Sequence, residues 1–319
     1  MSYFYRNTLG ARIRRRLSAI QHCFYLDLNP DHRATVLLAG SGRSGTTWLA
    51  DVLNHDNAYR YMAEPFTREH VKAVKHFARL QYIRPDDSGD EYFEAVRSIL
   101  EGRVRSPWAD NSNRRVIARR RLIKDDRCTL MLGWMIRRFA GMPVVFIRRH
   151  PLAVAHSRSR AHWRVRKPDV YLGQPALMAD HLEAFRDLIV GAPRTEFEGH
   201  VIDWCVENIV PHRQLTSHDA CFVDYETLVA DREREFRRVF TYIGKPFDER
   251  AIERSKRLSA TTFLGKDGAK RKAARDMKPW QEALSAREIA AAMEIVKRFG
   301  LDHLHKADAA LEATSPAAD

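Results

Sequence analysis

The feature that most constrains the fold is one segment, residues 36–49, in which an apolar run enters a glycine-rich turn and then a helical pattern. It reads Val-Leu-Leu-Ala-Gly-Ser-Gly-Arg-Ser-Gly-Thr-Thr-Trp-Leu. A buried strand that passes through a Gly/Ser loop into a helix directs backbone N–H groups and the positive end of the helix at one point. The segment therefore predicts an anion-binding loop.

The loop resembles the phosphate loop of nucleotide-binding proteins but departs from it at one position. Gly40 to Thr47 fits the spacing G-x-x-x-x-G-K-[ST], except that Thr46 stands where the lysine belongs. Because that lysine reaches the β- and γ-phosphates of a triphosphate, its replacement favours a loop for a single 5′-phosphate, with Arg43 as the cation. A tight strand-to-helix turn that needs its glycines only for backbone freedom is the alternative.

Short apolar runs alternate with longer helical patterns along the rest of the chain, which favours an α/β fold with a parallel sheet. The predicted strands are 35–39, 59–63, 122–123, 143–147 and 220–223. The predicted helices are 46–55, 65–80, 127–139, 151–161 and 231–243, a long helical region at 176–217, and 284–299 with Ser285 as its N-cap. We expect a P-loop-like three-layer fold with a central parallel sheet flanked by helices.

Three parts are predicted along the chain: a basic N-terminal segment at 1–34, one domain at 35–306 and a frayed tail at 307–319. The N-terminus lacks the apolar core of a signal peptide, which predicts a cytoplasmic protein. Residues 9–26 fit either a solvated helix or an amphipathic helix on an anionic lipid surface.

The charge balance calls for an anionic partner. The chain has 54 Lys and Arg against 41 Asp and Glu, a formal net charge of +13. A phosphorylated cofactor, an acidic glycan, nucleic acid and an anionic membrane all fit this charge. The four cysteines are widely spaced, so neither a disulfide framework nor a metal site is expected.

Two elements together resemble one enzyme family. Arg43-Ser44-Gly45-Thr46-Thr47 resembles the 5′-phosphosulfate loop of sulfotransferases that use 3′-phosphoadenosine 5′-phosphosulfate (PAPS). Their 3′-phosphate element, an Arg at a strand end with a Ser eight residues later, is matched by Arg149 and Ser157. The cofactor-binding residues that the resemblance implies are Gly42, Arg43, Ser44, Gly45, Thr46, Thr47, Trp48, Arg149 and Ser157, with Lys270, Arg271 and Lys272 in a basic loop.

Glu64, Lys124 and Arg43 are the candidate catalytic residues. Glu64 precedes Pro65, so we expect extended backbone there and a side chain that faces the crevice as general base. A Glu at this distance from the loop Arg is similar to the tyrosylprotein and carbohydrate branches of the sulfotransferases, in which it is the proposed base. Lys124 lies in Lys-Asp-Asp-Arg, similar to the family's Lys-Asp-Pro-Arg, which implies a Lys near the bridging oxygen of PAPS. Asp126 replaces the family's Pro, so the local turn is in question.

One physical consideration does not depend on the family. The 40–47 loop, Glu64, Lys124 and Arg149 each lie at the end of a predicted strand. In an open parallel sheet the carboxyl ends of the strands converge on one crevice, where ligands bind. The sequence therefore predicts that these residues form a single site.

The sequence constrains the identity of the acceptor less than that of the donor. The resemblance implies a hydroxyl acceptor, and the lack of the aryl branch's His favours a carbohydrate, such as a surface polysaccharide or glycolipid, with a tyrosyl or small-molecule acceptor left open. Specificity is expected in 65–118 and 158–217, where Trp108, Trp163 and Trp204 fit either sugar stacking or the core.

Two other functions fit the sequence less well than sulfuryl transfer. A P-loop kinase or NTPase is disfavoured by Thr46, and Asp224 is its only candidate for the metal-binding acid. A nucleic-acid-binding protein is disfavoured because acids interrupt the basic residues and no recognition motif is found. The sequence leaves the oligomeric state open.

Overall fold

A computed structural model describes residues 25–191, 195–261 and 279–305. The parts of the prediction that lie outside these residues are the segment at 1–24, the basic residues Lys270, Arg271 and Lys272, and the tail at 307–319. Within the described residues, no helix is long and apolar enough to cross a membrane. The same residues hold no group of three or more His, Cys, Asp or Glu side chains that could bind a metal ion.

A five-stranded parallel sheet forms the centre of the fold and confirms the predicted α/β class. Its order is β3-β5-β2-β6-β7, with β2 in the middle and buried along its whole length. The five strands are β2 (Thr35–Gly40), β3 (Arg60–Ala63), β5 (Arg121–Asp125), β6 (Val144–Arg148) and β7 (Cys221–Asp224). Each coincides with a predicted strand to within a few residues.

Helices cover both faces of the sheet. They are α1 (Thr46–Leu53), α2 (Asp90–Leu100), α3 (Leu132–Arg138), α4 (Pro151–Arg160), α5 (Asp169–Leu172), α6 (Pro175–Leu177), α7 (Arg186–Val190), α8 (Glu196–Gln214), α9 (Tyr225–Ala230), α10 (Arg232–Tyr242), α11 (Arg250–Thr261), α12 (Pro279–Ala283) and α13 (Ala286–Arg298). Alternate residues of β2 face opposite layers: Leu37 shares a core cluster with Trp134 of α3, whereas Leu38 shares one with Phe236 of α10. This alternation produces the predicted three layers.

A third apolar cluster surrounds the long helix α8. Trp204 of α8 is fully buried there together with Val154 of α4 and Ile295 of α13. The predicted N-cap of α13 is confirmed, because Ser285 and Glu288 form a reciprocal capping box. The cluster fixes α4, which follows strand β6, against α8.

Two helix predictions differ from the structure. Residues 65–80 form turns with one short 3₁₀ helix (Lys72–Val74) instead of an α-helix, and Leu80 has a left-handed backbone with φ 50°. The apolar residues of this segment are buried in the core. Their spacing along the chain resembles that of an amphipathic helix, although the backbone does not form one. The region 176–217 is also not continuous. It is broken by π and 3₁₀ turns between Met178 and Phe185, and its longest helix, α8, begins at Glu196.

A small second sheet lies at the amino-terminal edge of the main sheet, opposite the carboxyl-terminal ends of its strands. Strand β1 (Leu26–Asp27) pairs in parallel with β4 (Ile117–Ala118), three residues before β5 begins. Asp27 accepts a hydrogen bond of 2.7 Å from Arg121, the first residue of β5. Residues 25–34, predicted as part of the N-terminal segment, thus contact the amino-terminal edge of the main sheet.

Candidate active site

The loop between β2 and α1 is shaped for close contact with an anion. Gly45 precedes the helix in a left-handed conformation (φ 97°), and a Cβ there would lie 2.8 Å from the Tyr225 ring, so only glycine fits. Among the described residues the buried Ser44 hydroxyl has no hydrogen-bond partner. Backbone amides at the start of α1 and this hydroxyl are therefore available to a bound phosphate.

The structure brings the two predicted phosphate elements together. Arg43 Nε donates a hydrogen bond of 3.0 Å to Ser157 Oγ, and Arg149 Nη1 donates one of 3.2 Å to the Arg43 carbonyl. Arg149 also lies over the Tyr225 ring, 4.4 Å from its centroid. Desolvation and the neighbouring Arg149 and Arg158 lower the pKa of Arg43, which reflects a local excess of positive charge. Such a cluster of cations favours an anionic ligand.

Glu64 and Lys124 form an ion pair at the ends of adjacent strands. Glu64 Oε1 lies 2.6 Å from Lys124 Nζ, and the Glu64 amide donates to the Lys124 carbonyl at 2.7 Å. Burial by itself would lower the pKa of Lys124, but Asp126 and Glu64 outweigh it and raise that pKa above its usual value. The two predicted catalytic residues are therefore in direct contact, with Lys124 held as a cation.

The expected extended backbone at Glu64 is wrong. Glu64 has φ 52°, in the left-handed region that a residue before proline seldom adopts. Its amide is held by β5 and the next amide, that of Phe66, donates to Asp125 Oδ2 at 2.8 Å. These tertiary hydrogen bonds override the local preference and turn the chain sharply at the strand end.

Asp125 and Asp126 explain how the turn after β5 forms without proline. Asp125 Oδ1 accepts a hydrogen bond of 2.7 Å from the Arg127 amide, so the side chain itself makes the turn. Burial and the nearby Asp126 raise the pKa of Asp125 to about 7. Asp126 faces the phosphate loop, and a Cβ on Gly42 would lie 2.6 Å from its Oδ2. Gly42 is thus needed for space, because a larger side chain would collide with Asp126 and Trp163.

A buried ionic network beneath the loop was not predicted from the sequence. Glu207 of α8 is fully buried and contacts the Ser41 hydroxyl, Arg158 Nη2 at 2.6 Å and Arg166 Nη2 at 2.5 Å. Arg158 also donates to the Gly42 carbonyl at 3.1 and 3.2 Å. We define the loop anchor as Ser41, Arg158, Arg166 and Glu207. It fixes the start of the loop to α4 and α8.

The three tryptophans named from the sequence occupy different environments. Trp163 lies against the loop, since a Cβ on Gly42 would be 2.9 Å from its ring, and it is half-buried. Trp108 stacks on His70 with ring centroids 4.0 Å apart, and the adjacent Ala109 carbonyl accepts the Ala63 amide. Trp204 is buried in the core and donates to the Arg149 carbonyl. Of these three tryptophans, Trp163 is the one whose ring borders the phosphate loop.

The remaining predicted cofactor residues divide between loop and core. Thr47 is exposed and Thr46 is buried at the first turn of α1. The Trp48 ring lies in the core, where it packs against Tyr225 and its Nε1 donates to the Ser255 carbonyl. Its side chain is therefore directed away from the loop, so only its backbone is placed to serve a ligand.

Comparison with known proteins gives one family match. The sequence model of a family described as "Sulfotransferase family" matches residues 35–249, two thirds of the chain. No curated protein matches the chain.

Among solved structures, the sulfotransferase domain from the curacin biosynthetic pathway is 14% identical, with a TM-score of 0.45, over 83% of this chain and 96% of that one. A mouse sulfotransferase complexed with PAP is 12% identical, with a TM-score of 0.46, over 88% of each chain. A sulfotransferase from Mycobacterium avium is 12% identical, with a TM-score of 0.45, over 93% of this chain and 83% of that one.

The loop anchor predicts a large effect of removing its negative charge. Glu207→Gln should lower the free energy of unfolding by about 3 kcal/mol, because the fully buried Arg158 would lose its counter-charge, although Arg166 would keep Asp203 at 3.3 Å. Urea denaturation measures the change. The control is Glu183→Gln, which breaks a solvent-exposed pair with Arg186 and should leave stability unchanged. Equal stability of the two variants would contradict an anchoring role.

Proposed function

The chain belongs to the sulfotransferase family, and on that premise we propose that it transfers the sulfuryl group of PAPS to a hydroxyl group of a carbohydrate. The observation that carries the proposal is the meeting of two sets of residues at one sheet edge. One set is the cation cluster of Arg43 and Arg149 around the loop, and the other is the Glu64–Lys124 pair beside it. The first suits a phosphorylated donor and the second suits proton transfer.

Binding of the donor is assigned to the loop and to the end of β6. The amides at the start of α1 and the unpartnered Ser44 hydroxyl suit the 5′-phosphosulfate. Arg149 and Ser157 suit the 3′-phosphate, because the hydroxyl and guanidinium lie within one hydrogen-bonded group with Arg43. Among the described residues the buried Arg149 Nε has no hydrogen-bond partner, so it is free to donate to a phosphate oxygen.

Glu64 and Lys124 take complementary roles in the transfer. As the acceptor oxygen forms its bond to sulfur, the bond from sulfur to the bridging oxygen of the donor breaks, and the acceptor proton passes to Glu64. Lys124 stabilises the negative charge that develops on the bridging oxygen. Lys124 contacts only Oε1 of Glu64, at 2.6 Å, so its ammonium group keeps further N–H donors for the bridging oxygen and the other Glu64 oxygen can accept the proton.

The alternative of a kinase or NTPase is weakened by two side chains. Thr46, which replaces the lysine of the phosphate loop, is buried in α1. Asp224, the only candidate for a metal-binding acid, accepts two hydrogen bonds from Arg148 at 2.8 and 2.9 Å. A carboxylate held in this bidentate pair is poorly suited to bind a magnesium ion.

A carbohydrate acceptor is supported by Trp163, whose ring borders the phosphate loop. Trp108 lies next to Ala109, whose carbonyl accepts a hydrogen bond from Ala63 at the end of β3. Indole rings stack on the apolar faces of sugar rings, which fixes a hydroxyl in position without a charged contact. The most direct survey is transfer of radiolabelled sulfate from PAPS to a panel of glycans, glycolipids and phenols.

Donor specificity is tested by thermal shift. Adenosine 3′,5′-bisphosphate should raise the melting temperature, because it places a phosphate on each of the two elements, whereas ATP with Mg²⁺ should raise it little. Adenosine 5′-monophosphate is the matched control, since it lacks the 3′-phosphate. Stabilisation by ATP with Mg²⁺ alone would favour the kinase or NTPase.

Separate substitutions test the base and the donor site. Glu64→Ala should lower kcat by about 10²- to 10⁴-fold with donor affinity nearly unchanged, because it removes the proton acceptor and leaves the phosphate loop and Arg149 in place. Arg149→Ala should weaken donor binding at least about tenfold, because it removes a charge-assisted hydrogen bond. Steady-state kinetics and calorimetry measure the two effects. Full activity of Glu64→Ala would rule out Glu64 as the base.

The role of Trp163 is tested on the acceptor side. Trp163→Ala should raise KM for a sugar acceptor about fivefold to tenfold through lost stacking, and Trp163→Phe should restore most of it. Initial rates at saturating PAPS isolate this effect from donor binding. If both variants keep the wild-type KM, Trp163 does not contact the acceptor.

A further inference from the structure

A small cleft lies beyond the ends of β3 and β5. Phe66, Phe77 and Met131 form its apolar floor, and all three are buried in the core, so packing fixes the shape of the floor. The cleft is small and open to solvent. It therefore suits one substituent of a substrate rather than a whole sugar ring.

The sheet order places this cleft beside the Glu64–Lys124 pair, toward the acceptor. Phe66 comes two residues after Glu64, and Arg127, which also lines the cleft, comes three residues after Lys124. Because the order is β3-β5-β2, the phosphate loop lies on the β2 side of the pair and the cleft lies toward β3. An acceptor hydroxyl that attacks sulfur in line approaches from the side opposite the leaving phosphate. The cleft is thus placed to hold part of the acceptor.

Arginine side chains dominate the charge around the cleft. Arg68, Arg79 and Arg127 line it together with one carboxylate, that of Glu69. Glu69 is already paired, since its Oε1 lies 3.1 Å from Arg79 Nη2. Arg68 is exposed, and within the described ranges neither it nor Arg127 is hydrogen-bonded to a carboxylate. The lining therefore carries an excess of positive charge.

Arg127 is the cation best placed to bind a ligand in the cleft. In the part of the chain that the structure describes, its buried Nε has no hydrogen-bond partner. Asp126 Oδ1 lies 4.0 Å away, which is beyond hydrogen-bond range. Burial by itself would lower the pKa of Arg127, but Asp126 and other nearby carboxylates outweigh it and raise that pKa. A permanent cation with an unsatisfied buried N–H is stabilised when a ligand accepts a hydrogen bond from it.

Two of the carboxylates near Arg127 have cations of their own. Glu64 is paired with Lys124, and Glu69 is paired with Arg79. Arg127 therefore keeps the capacity to bind a further anion that enters the cleft.

We propose that the cleft binds the carboxylate of an acidic sugar in the acceptor, with Arg127 as the residue that selects it. The inference rests on the proposed function and narrows its acceptor to a glycan that contains uronic acid. The planar guanidinium matches the two oxygens of a carboxylate. The apolar floor keeps water from one side of this contact, which strengthens it.

Paired polysaccharides test the acceptor class. Hyaluronan, alginate and polygalacturonate are each compared, as acceptors of radiolabelled sulfate from PAPS, with the same polymer after reduction of its carboxyl groups to hydroxymethyl groups. At least one should be sulfated, and its kcat/KM should fall about 10- to 100-fold on reduction, because a charge-assisted hydrogen bond is lost. Reduction adds a hydroxyl group, so a lower rate cannot result from a lost acceptor position.

Substitution of Arg127 tests the residue. Arg127→Gln should lower kcat/KM for the acidic polymer about 10- to 100-fold and affect the reduced polymer much less, so that the preference between them is lost. Arg127→Lys should restore part of the preference, because it keeps the charge without the planar fork. The Arg127 amide, not its side chain, forms the turn with Asp125, so both variants keep that turn.

The matched control is an arginine elsewhere on the surface. Arg287→Gln removes an exposed arginine of α13 and should keep the wild-type preference for the acidic polymer. All variants should keep the thermal shift with adenosine 3′,5′-bisphosphate, which shows that they are folded and bind the donor product.

The outcomes separate this inference from the proposed function. Equal rates on the acidic and reduced polymers, or sulfation of neutral glycans only, would overturn the carboxylate site and leave carbohydrate sulfation in place. An equal loss on both polymers in Arg127→Gln would overturn the role of Arg127 in selection. Sulfation of no glycan, with the bisphosphate shift retained, would overturn the proposed carbohydrate acceptor and this inference together.

Discussion

The carboxylate of Glu207 is the contact on which the geometry of the candidate site depends. It lies in α8, far along the chain from the phosphate loop, yet it contacts Ser41 and pairs with the fully buried Arg158 and the largely buried Arg166. Because a buried charge is tolerated only with its partners in place, the loop, α4 and α8 must assemble together. The start of the loop is thereby fixed before any ligand arrives.

The same assembly separates structural cations from those left for a ligand. Arg158 is paired with Glu207, Arg166 with Glu207 and Asp203, and Arg148 with Asp224. Arg43 and Arg149 instead contact a hydroxyl and a carbonyl, which leave their charge uncompensated. Within the described residues, Arg43 and Arg149 thus carry uncompensated positive charge at the crevice, which favours an anionic ligand.

The sequence predicts the sheet and the grouping of site residues well, because both follow from local signals. Apolar runs such as Val144–Arg148 mark buried strands, and parallel strand ends share one edge, which brings Glu64 to Lys124. The prediction of a helix at 65–80 is wrong because Phe66, Val74 and Phe77, which are buried in the core, are spaced like the apolar residues of a helix. The role of Glu207 was not predictable, because its partners are set by the packing of α8 and no nearby motif indicates them.

Two charged residues of the site, Arg43 and Glu64, have positive φ angles of 81° and 52°. A side chain other than glycine in this region destabilises the fold by about 1–2 kcal/mol. Glycine would be the less strained residue at both positions, but it would remove the side chain of the loop cation or of the candidate base. Thermal stability and the proposed chemistry therefore make opposite demands on these two residues.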